Sequence, residues 1–168
     1  RYLKEQLDSI FAQTYPNIEV LVRDDGSKDG TREILREYQK THPNLFVYEE
    51  KNEGLTKSFL ELIQKCDADY VSFSDQDDYW LENKIEVAVE KLENIKGPAL
   101  YCSNQILVDK DLNRLPEGVI PDKTPGFGNA LIESMCTGCT AVMNRELINE
   151  VKGHLTKNAI WHDWWCYL

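Results

Sequence analysis

Residues 18–38 read Ile18-Glu19-Val20-Leu21-Val22-Arg23-Asp24-Asp25-Gly26-Ser27-Lys28-Asp29-Gly30-Thr31-Arg32-Glu33-Ile34-Leu35-Arg36-Glu37-Tyr38. The run changes character twice. Ile18 to Val22 is β-branched and apolar, which predicts a strand. Asp24 to Ser27 is an acidic turn. Asp29-Gly30-Thr31 then opens a helix that carries Ile34, Leu35 and Tyr38 on one face, with Asp29 or Thr31 as its cap. Strand, acidic turn and helix in succession form the unit from which α/β sheets are built.

The unit repeats outward. Leu3, Leu7, Ile10 and Phe11 recur at helical spacing, so 3–14 reads as an amphipathic helix ended by Tyr15-Pro16-Asn17. His42-Pro43-Asn44 breaks the second helix. Leu45 to Tyr48 is a strand, Gly54 to Lys65 a helix, Tyr70 to Phe73 a strand and Leu81 to Ile95 a helix. Short apolar strands alternating with helices imply a parallel sheet covered on both faces. After residue 95 the pattern loosens. Ala99 to Cys102 and Gln105 to Val108 read as strands, and 109–128, with Pro116, Pro121 and Pro125, as a loop. Asn129 to Met135 reads as a helix, Thr140 to Met143 as a strand and Arg145 to Val151 as a short helix. No repeat or linker divides the 168 residues, so a single domain is expected.

Composition narrows the function. The chain is 42% hydrophobic with a formal charge of -10, from 19 basic and 29 acidic residues. Such a chain buries a core, and it lacks the basic stripe that a nucleic-acid binder needs. If its substrate carries phosphates, a divalent cation is the natural way to offset their charge. No apolar run reaches the roughly 18 residues of a membrane span, and no signal peptide is visible. The five cysteines are irregularly spaced, which fits a reducing, cytoplasmic setting better than a disulfide scaffold. Cys136-Thr137-Gly138-Cys139 lacks a second pair for zinc and reads as packing.

Three acidic groups stand out. Asp24-Asp25-Gly26-Ser27 and Asp75-Gln76-Asp77-Asp78 each follow a strand, where open α/β sheets bind ligands. His162-Asp163 lies near the end of the chain. In an extended Asp75–Asp78 segment, Asp75 and Asp77 would project to one side. Three carboxylates so close repel unless a cation sits among them, and oxygen ligands suit Mg²⁺ or Mn²⁺. A solvated turn capping the next helix is the other reading of that segment. A calcium loop is excluded. Starting at Asp25, position twelve is Arg36 where a glutamate is required. Starting at Asp75, position six is Trp80 where glycine is required.

The run Val20-Leu21-Val22-Arg23-Asp24-Asp25-Gly26-Ser27-Lys28-Asp29-Gly30-Thr31 resembles the nucleotide-binding segment of inverting family 2 glycosyltransferases. Asn52-Glu53-Gly54-Leu55-Thr56-Lys57 resembles the family's next motif, and Asp75-Gln76-Asp77-Asp78 its D-x-D metal motif. His162-Asp163-Trp164-Trp165 is similar to the H-D-W-W form of its base motif, found among rhamnosyltransferase-like members. The four occur in family order and cover essentially the whole chain.

The resemblance implies a GT-A fold, a Rossmann-like and mostly parallel sheet flanked by helices. It also implies transfer of a sugar from a UDP- or dTDP-sugar, with dTDP-rhamnose as one donor, to a carbohydrate or lipid-linked acceptor with inversion. Cell-surface polysaccharide synthesis is the expected setting. Asp25 would bind the nucleoside base, with Asp24 and Ser27 supporting the turn and Lys57 near the nucleotide. Asp75 would lie by the ribose, and Asp77 would bind Mg²⁺ or Mn²⁺ on the diphosphate. Asp163 would be the general base, with His162 orienting it or helping to bind metal. Gly138 would fall in the acceptor-side loop, and Trp161, Trp164 and Trp165 would form either an acceptor platform or a core segment. The family's first strand and C-terminal part would lie outside residues 1–168, as would any attachment to the inner face of the membrane. Two other readings remain: a nucleotidyltransferase, marked by release of pyrophosphate, and a carbohydrate-binding relic, marked by binding without turnover.

Overall fold

The computed structural model describes residues 2–116, 126–156 and 159–168. Helix α1 (Leu3–Phe11) leads through a loop to β1 (Val20–Asp24), α2 (Thr31–Thr41) and β2 (Leu45–Glu49). Helix α3 (Leu55–Lys65), β3 (Tyr70–Ser72), α4 (Lys84–Leu92) and β4 (Leu100–Cys102) follow. A single-turn α5 (Phe127–Ala130), a 3-10 turn (Gly138–Thr140), β5 (Ala141–Asn144), α6 (Arg145–Gly153) and α7 (His162–Tyr167) complete the described chain.

Strands β1 and β2 pair in parallel, from Val20 opposite Leu45 to Asp24 opposite Glu49, with α2 as the crossover. The expected βαβ unit is therefore present. Strands β3, β5 and β4 form a second ladder in that order, with both pairings antiparallel. Strand β5 is buried at every residue. Its side chains alternate between two cores, Val142 toward Leu7, Leu35 and Trp80, and Ala141 and Met143 toward Ile63, Phe73 and Ile148. Covering on both faces explains why this strand is an unbroken apolar run.

The edge of β1 away from β2 and the edge of β3 away from β5 carry no partner strand among the described residues. Between them lies a cleft of about 1450 Å³ lined by all of β1 and β3 and by α1 side chains including Leu3, Gln6 and Leu7. Its polar end holds the acidic turns after the two strands.

Two expected elements are absent or shorter. Gln105 to Val108 is not a strand: only Val108 bridges Arg114. Ile106, Leu107 and Val108 are all exposed, so the run has no face to bury and nothing to hold a ladder. The helix expected over 129–135 is a single turn, Phe127–Ala130. Ile132 beyond it stands exposed, and the Ser134 hydroxyl and Cys136 bond to each other instead of continuing a helix. Of the expected loop 109–128, residues 117–125 lie outside the described residues. No helix among the described residues is long and apolar enough to cross a membrane.

Candidate active site

The turn after β1 is closed by its own residues. The Asp24 side chain is fully buried. Its oxygens accept the Ser27 amide at 3.3 Å and Arg32 Nε at 2.6 Å. Burial alone would raise its pKa, but these donors prevail and hold it below the ordinary carboxylate value. Gly26 turns the chain with φ +84, a backbone region that glycine enters without strain.

Asp25 accepts the Glu53 and Gly54 amides at 2.9 and 3.0 Å and pairs with Arg23. Again burial works upward, and the amides and Arg23 outweigh it. Arg23 is itself buried and also reaches Glu61 at 3.0 Å, Glu53 at 3.2 Å and the Ser58 hydroxyl at 2.9 Å. Asp25 thus fastens the end of β1 to the start of α3, while keeping a place in the cleft lining beside Ser27. Lys57 stands half-exposed on α3, paired with Glu53 at 2.5 Å. Arg23 and Glu53, which complete this network, lie within the two motif segments, but the sequence gives neither a role of its own.

The turn after β3 differs. The segment does not run extended. The Asp75 amide donates to Asp78 Oδ2 at 3.0 Å and the Asp78 amide to the Asp75 carbonyl at 3.2 Å. This closes a turn with Gln76 and exposed Asp77 at its tip. Asp75 therefore converges with Asp78 rather than with Asp77. Cys139 joins them, and one ligand atom from each of the three lies within 4.8 Å of the others. Gln6 of α1 braces the turn through the Ser74 hydroxyl at 2.8 Å and the Asp75 carbonyl at 2.6 Å.

Burial, then the neighbouring Asp78, Asp77 and Asp163, push Asp75 up to about 6. Asp78 is also raised, chiefly by burial. Burial, then Asp78 and Asp75, push Cys139 up to about 12, so its thiol stays protonated at neutral pH. Two converging carboxylates that resist ionisation fit a divalent cation, which would relieve their repulsion. Carboxylate oxygens suit Mg²⁺ or Mn²⁺, while a thiol is the softer neighbour. Cys139, which the spacing marks as packing, lies in this cluster, whereas Cys136 is buried in a core.

The third group sits at the start of α7. Asp163 Oδ2 accepts the Gly138 amide at 2.9 Å and Oδ1 the Trp164 amide at 2.8 Å. These two bonds fix the carboxylate and leave lone pairs on both oxygens. A Cβ on Gly138 would come within 3.1 Å of the Asp163 Cβ and 3.3 Å of His162 Nε2, so any larger residue would have to push these side chains aside by a few tenths of an ångström. His162 is buried, stacked on Phe59 with ring centroids 4.0 Å apart and edge-on to Phe73. Both its ring nitrogens lack a partner among the described residues. Burial lowers its pKa against the pull of Asp163, so the ring is neutral at pH 7.

The three tryptophans divide their work. Trp161 is exposed, Trp164 donates to the Ala130 carbonyl at 2.6 Å, and Trp165 packs against the second core. The cleft brings the first two acidic turns together, and the field of Asp163 at Asp75 links the third group to the second.

Comparison with known proteins identifies the family and the fold. The profile of the family described as Glycosyl transferase family 2 matches residues 1–152. The chain is 32% identical to dTDP-rhamnosyl transferase RfbG of Shigella flexneri, over 99% of this chain and 61% of that protein. It is 27% identical to an Escherichia coli protein, UDP-Glc:alpha-D-GlcNAc-diphosphoundecaprenol beta-1,3-glucosyltransferase WfgD, over 88% of this chain and 56% of that one. Among solved structures, S. aureus TarS 1-349 in complex with UDP superposes with a TM-score of 0.68 at 21% identity, over 99% of this chain and 50% of that one. Mannosyltransferase PcManGT from Pyrobaculum calidifontis, in complex with GDP-Man and Mn2+, gives 0.66 at 22% identity, over 97% and 46%. The chain thus spans between about half and three fifths of the length of these proteins. The fold is the GT-A fold that these transferases share, and the chain belongs to glycosyl transferase family 2.

Proposed function

We propose that the protein transfers one sugar from a nucleoside diphosphate donor to an acceptor hydroxyl, with inversion at the anomeric carbon. The observation that carries this is the cleft itself, in which the two strand-end acidic turns share one wall system and Asp163 lies within electrostatic reach of Asp75. Asp25 and Ser27 line the part that would take the base, and Asp75 the part that would take the ribose. Asp24 keeps the turn in shape, and Lys57 stands at the α3 end near the nucleotide. Asp75 and Asp78, with Asp77 at the exposed tip of the turn, would hold Mg²⁺ or Mn²⁺. When bound, that cation supplies charge compensation for the departing diphosphate.

Asp163, held by the Gly138 and Trp164 amides, accepts the proton of the acceptor hydroxyl. The acceptor oxygen then bonds to the anomeric carbon as the bond from that carbon to the diphosphate oxygen breaks. One displacement with one base gives inversion, by the logic that separates inverting from retaining hydrolases. His162 packs beside Asp163 as a neutral ring and helps set its place.

A UDP- or dTDP-linked donor is supported by the UDP complex of TarS and by the dTDP-rhamnosyl name of RfbG. A carbohydrate or lipid-linked acceptor at the cytoplasmic face of the membrane, in cell-surface polysaccharide synthesis, is supported by the diphosphoundecaprenol acceptor in the name of WfgD. The unpaired edges of β1 and β3 support a further strand in the whole domain, seated between them and shaping the nucleotide pocket.

Isothermal titration of UDP and dTDP into the full-length protein, with Mn²⁺ and with EDTA, tests the donor site. Metal-dependent binding of one of them is expected. Asp163→Asn should keep that binding and lose turnover by roughly 10²–10⁴-fold, the usual worth of a positioned base. Retained turnover would remove Asp163 from that role, and absence of nucleotide binding would sink the donor reading.

A further inference from the structure

Lys84 occupies a place that lysines rarely hold. It is the first residue of α4, where the helix dipole is positive and a cation is disfavoured. It is largely withdrawn from water, and burial brings its pKa down to about 8. Its Nζ donates not to a carboxylate but to the Ser72 hydroxyl, at 3.0 Å. The helix position and the withdrawal from water are both unfavourable, and something facing the ammonium must offset them.

A hydroxyl and a ring hold it, and Asp78 of the acid cluster acts on it through space. Nζ lies 4.1 Å from the centre of the Trp80 ring, which gives one favourable face. The Ser72 hydroxyl in turn donates to the Ala141 carbonyl at 2.8 Å, two residues from Cys139, so the ammonium is tied to the β3–β5 ladder that carries Cys139 to the cluster. Of the groups that favour its protonated form, Cys139, Asp78 and Cys136, only Asp78 carries a charge at neutral pH, since both thiols are held protonated. Asp78 in turn is eased toward ionisation by Lys84. The ammonium is therefore anchored by a hydroxyl and a ring and acts on Asp78 through space.

We propose that Lys84 is a positioning residue, the resident counter-charge of the Asp75–Asp78–Cys139 cluster, which couples cation binding to donor binding. The inference rests on the cation reading above. A fixed positive charge behind the cluster opposes a divalent ion that arrives alone. The same ion arriving with a diphosphate brings its own compensating negative charge and is opposed far less. Cation and diphosphate then bind with positive coupling, and by linkage each strengthens the other equally. An acidic protein that must handle an anionic donor gains order from this, since the cation settles only with its substrate.

The test is titration of Mn²⁺ into the full-length protein, alone and with saturating UDP, for the wild type, Lys84→Met, Lys84→Gln and Lys84→Arg. Met keeps the stem that packs on Trp80, and Gln keeps a polar head for Ser72. One of the two serves if the other fails to fold, as judged by its melting curve. In wild type, UDP is expected to tighten Mn²⁺ binding. In the Met and Gln variants Mn²⁺ alone should bind roughly tenfold tighter, the scale of a partly screened charge pair. The UDP-dependent gain should shrink by the same factor, and Arg should restore both to wild type. A packing role alone would change melting temperature and leave these constants in place.

Unchanged or weaker Mn²⁺ binding in the Met and Gln variants overturns the role of Lys84. If Asp75→Asn with Asp78→Asn binds Mn²⁺ as wild type does, the cation reading itself fails and the inference falls with it. If that double variant loses Mn²⁺ while the lysine variants match wild type, the cation site stands and only Lys84 is wrong.

Discussion

The two acidic turns at the ends of β1 and β3 look alike in sequence and are opposites in electrostatics. In the first, Asp24 and Asp25 are met by donors that outnumber them: the amides of Ser27, Glu53 and Gly54, and two arginines. Both carboxyls lie below their ordinary pKa. In the second, Asp75 and Asp78 meet chiefly each other, and both lie above it. The first turn is finished as it stands. The second still lacks the charge compensation that the first has, since Lys84 acts on it only through space and both its carboxyls stay raised. Acidic residues at a strand end are therefore not by themselves a site, and the count of donors around them separates a fastener from a ligand cradle.

The sharpest way to break this comparison is to remove Asp24. Its side chain is wholly out of water, so Asp24→Ala leaves the Ser27 amide and Arg32 without their acceptor. A loss of about 2–4 kcal/mol is expected, below the full cost of a buried pair because Arg32 is partly exposed. A urea titration reads it, and Mn²⁺ should not change the difference. A loss that Mn²⁺ reverses would make the first turn a cation site as well.

The next effect is smaller and belongs to the second turn. At about a hundredfold excess over its dissociation constant, Mn²⁺ with UDP should stabilise the wild type by about 2.7 kcal/mol. Asp78→Asn should lose most of that protection, and Glu53→Gln, on the first turn's network, should keep it. Thermal melts with and without the metal compare them directly. Equal protection in both variants would erase the distinction between the turns.

Much of this was legible in the sequence, for reasons that differ by region. The βαβ unit from Val20 to Glu49 was readable because one face of α2 and the strands flanking it are sorted by burial, and burial follows residue type. The strand around Val142 was readable because both its faces are covered. Gln105 to Val108 misled because β-propensity describes fitness for a half-buried surface, and the surrounding chain offers none. At the site, the sequence marked Asp75 and Asp163, and in the structure the field of Asp163 reaches Asp75. It could not mark Cys139, which arrives from more than sixty residues away through the β3–β5 pairing. It also could not choose Asp78 over Asp77, since two hydrogen bonds within the turn decide that, one from the Asp75 amide to the Asp78 carboxylate and one from the Asp78 amide to the Asp75 carbonyl.

The smallest effect is the one with the most telling sign. Asp75 has a folded pKa of about 6 against an ordinary 3.8, so the folded protein binds the proton more tightly than the unfolded chain does. Stability from this group is fully present below about pH 4 and is lost as pH rises through about 6. Asp24 runs the other way: its folded pKa is depressed, so its contribution is present above the ordinary value and lost as pH falls through the folded one. Asp75→Asn in the absence of metal should therefore stabilise the protein at pH 7–8, by about 1 kcal/mol for a partly buried carboxyl. The gain should fade between about pH 6 and pH 4. Denaturant midpoints of variant and wild type, measured across that range in EDTA, give the difference at each pH. A gain that persists unchanged at pH 4 would assign the effect to packing of the amide. A loss at pH 7 would mean that the Asp75 carboxylate is already compensated, and the second turn would then be a fastener like the first.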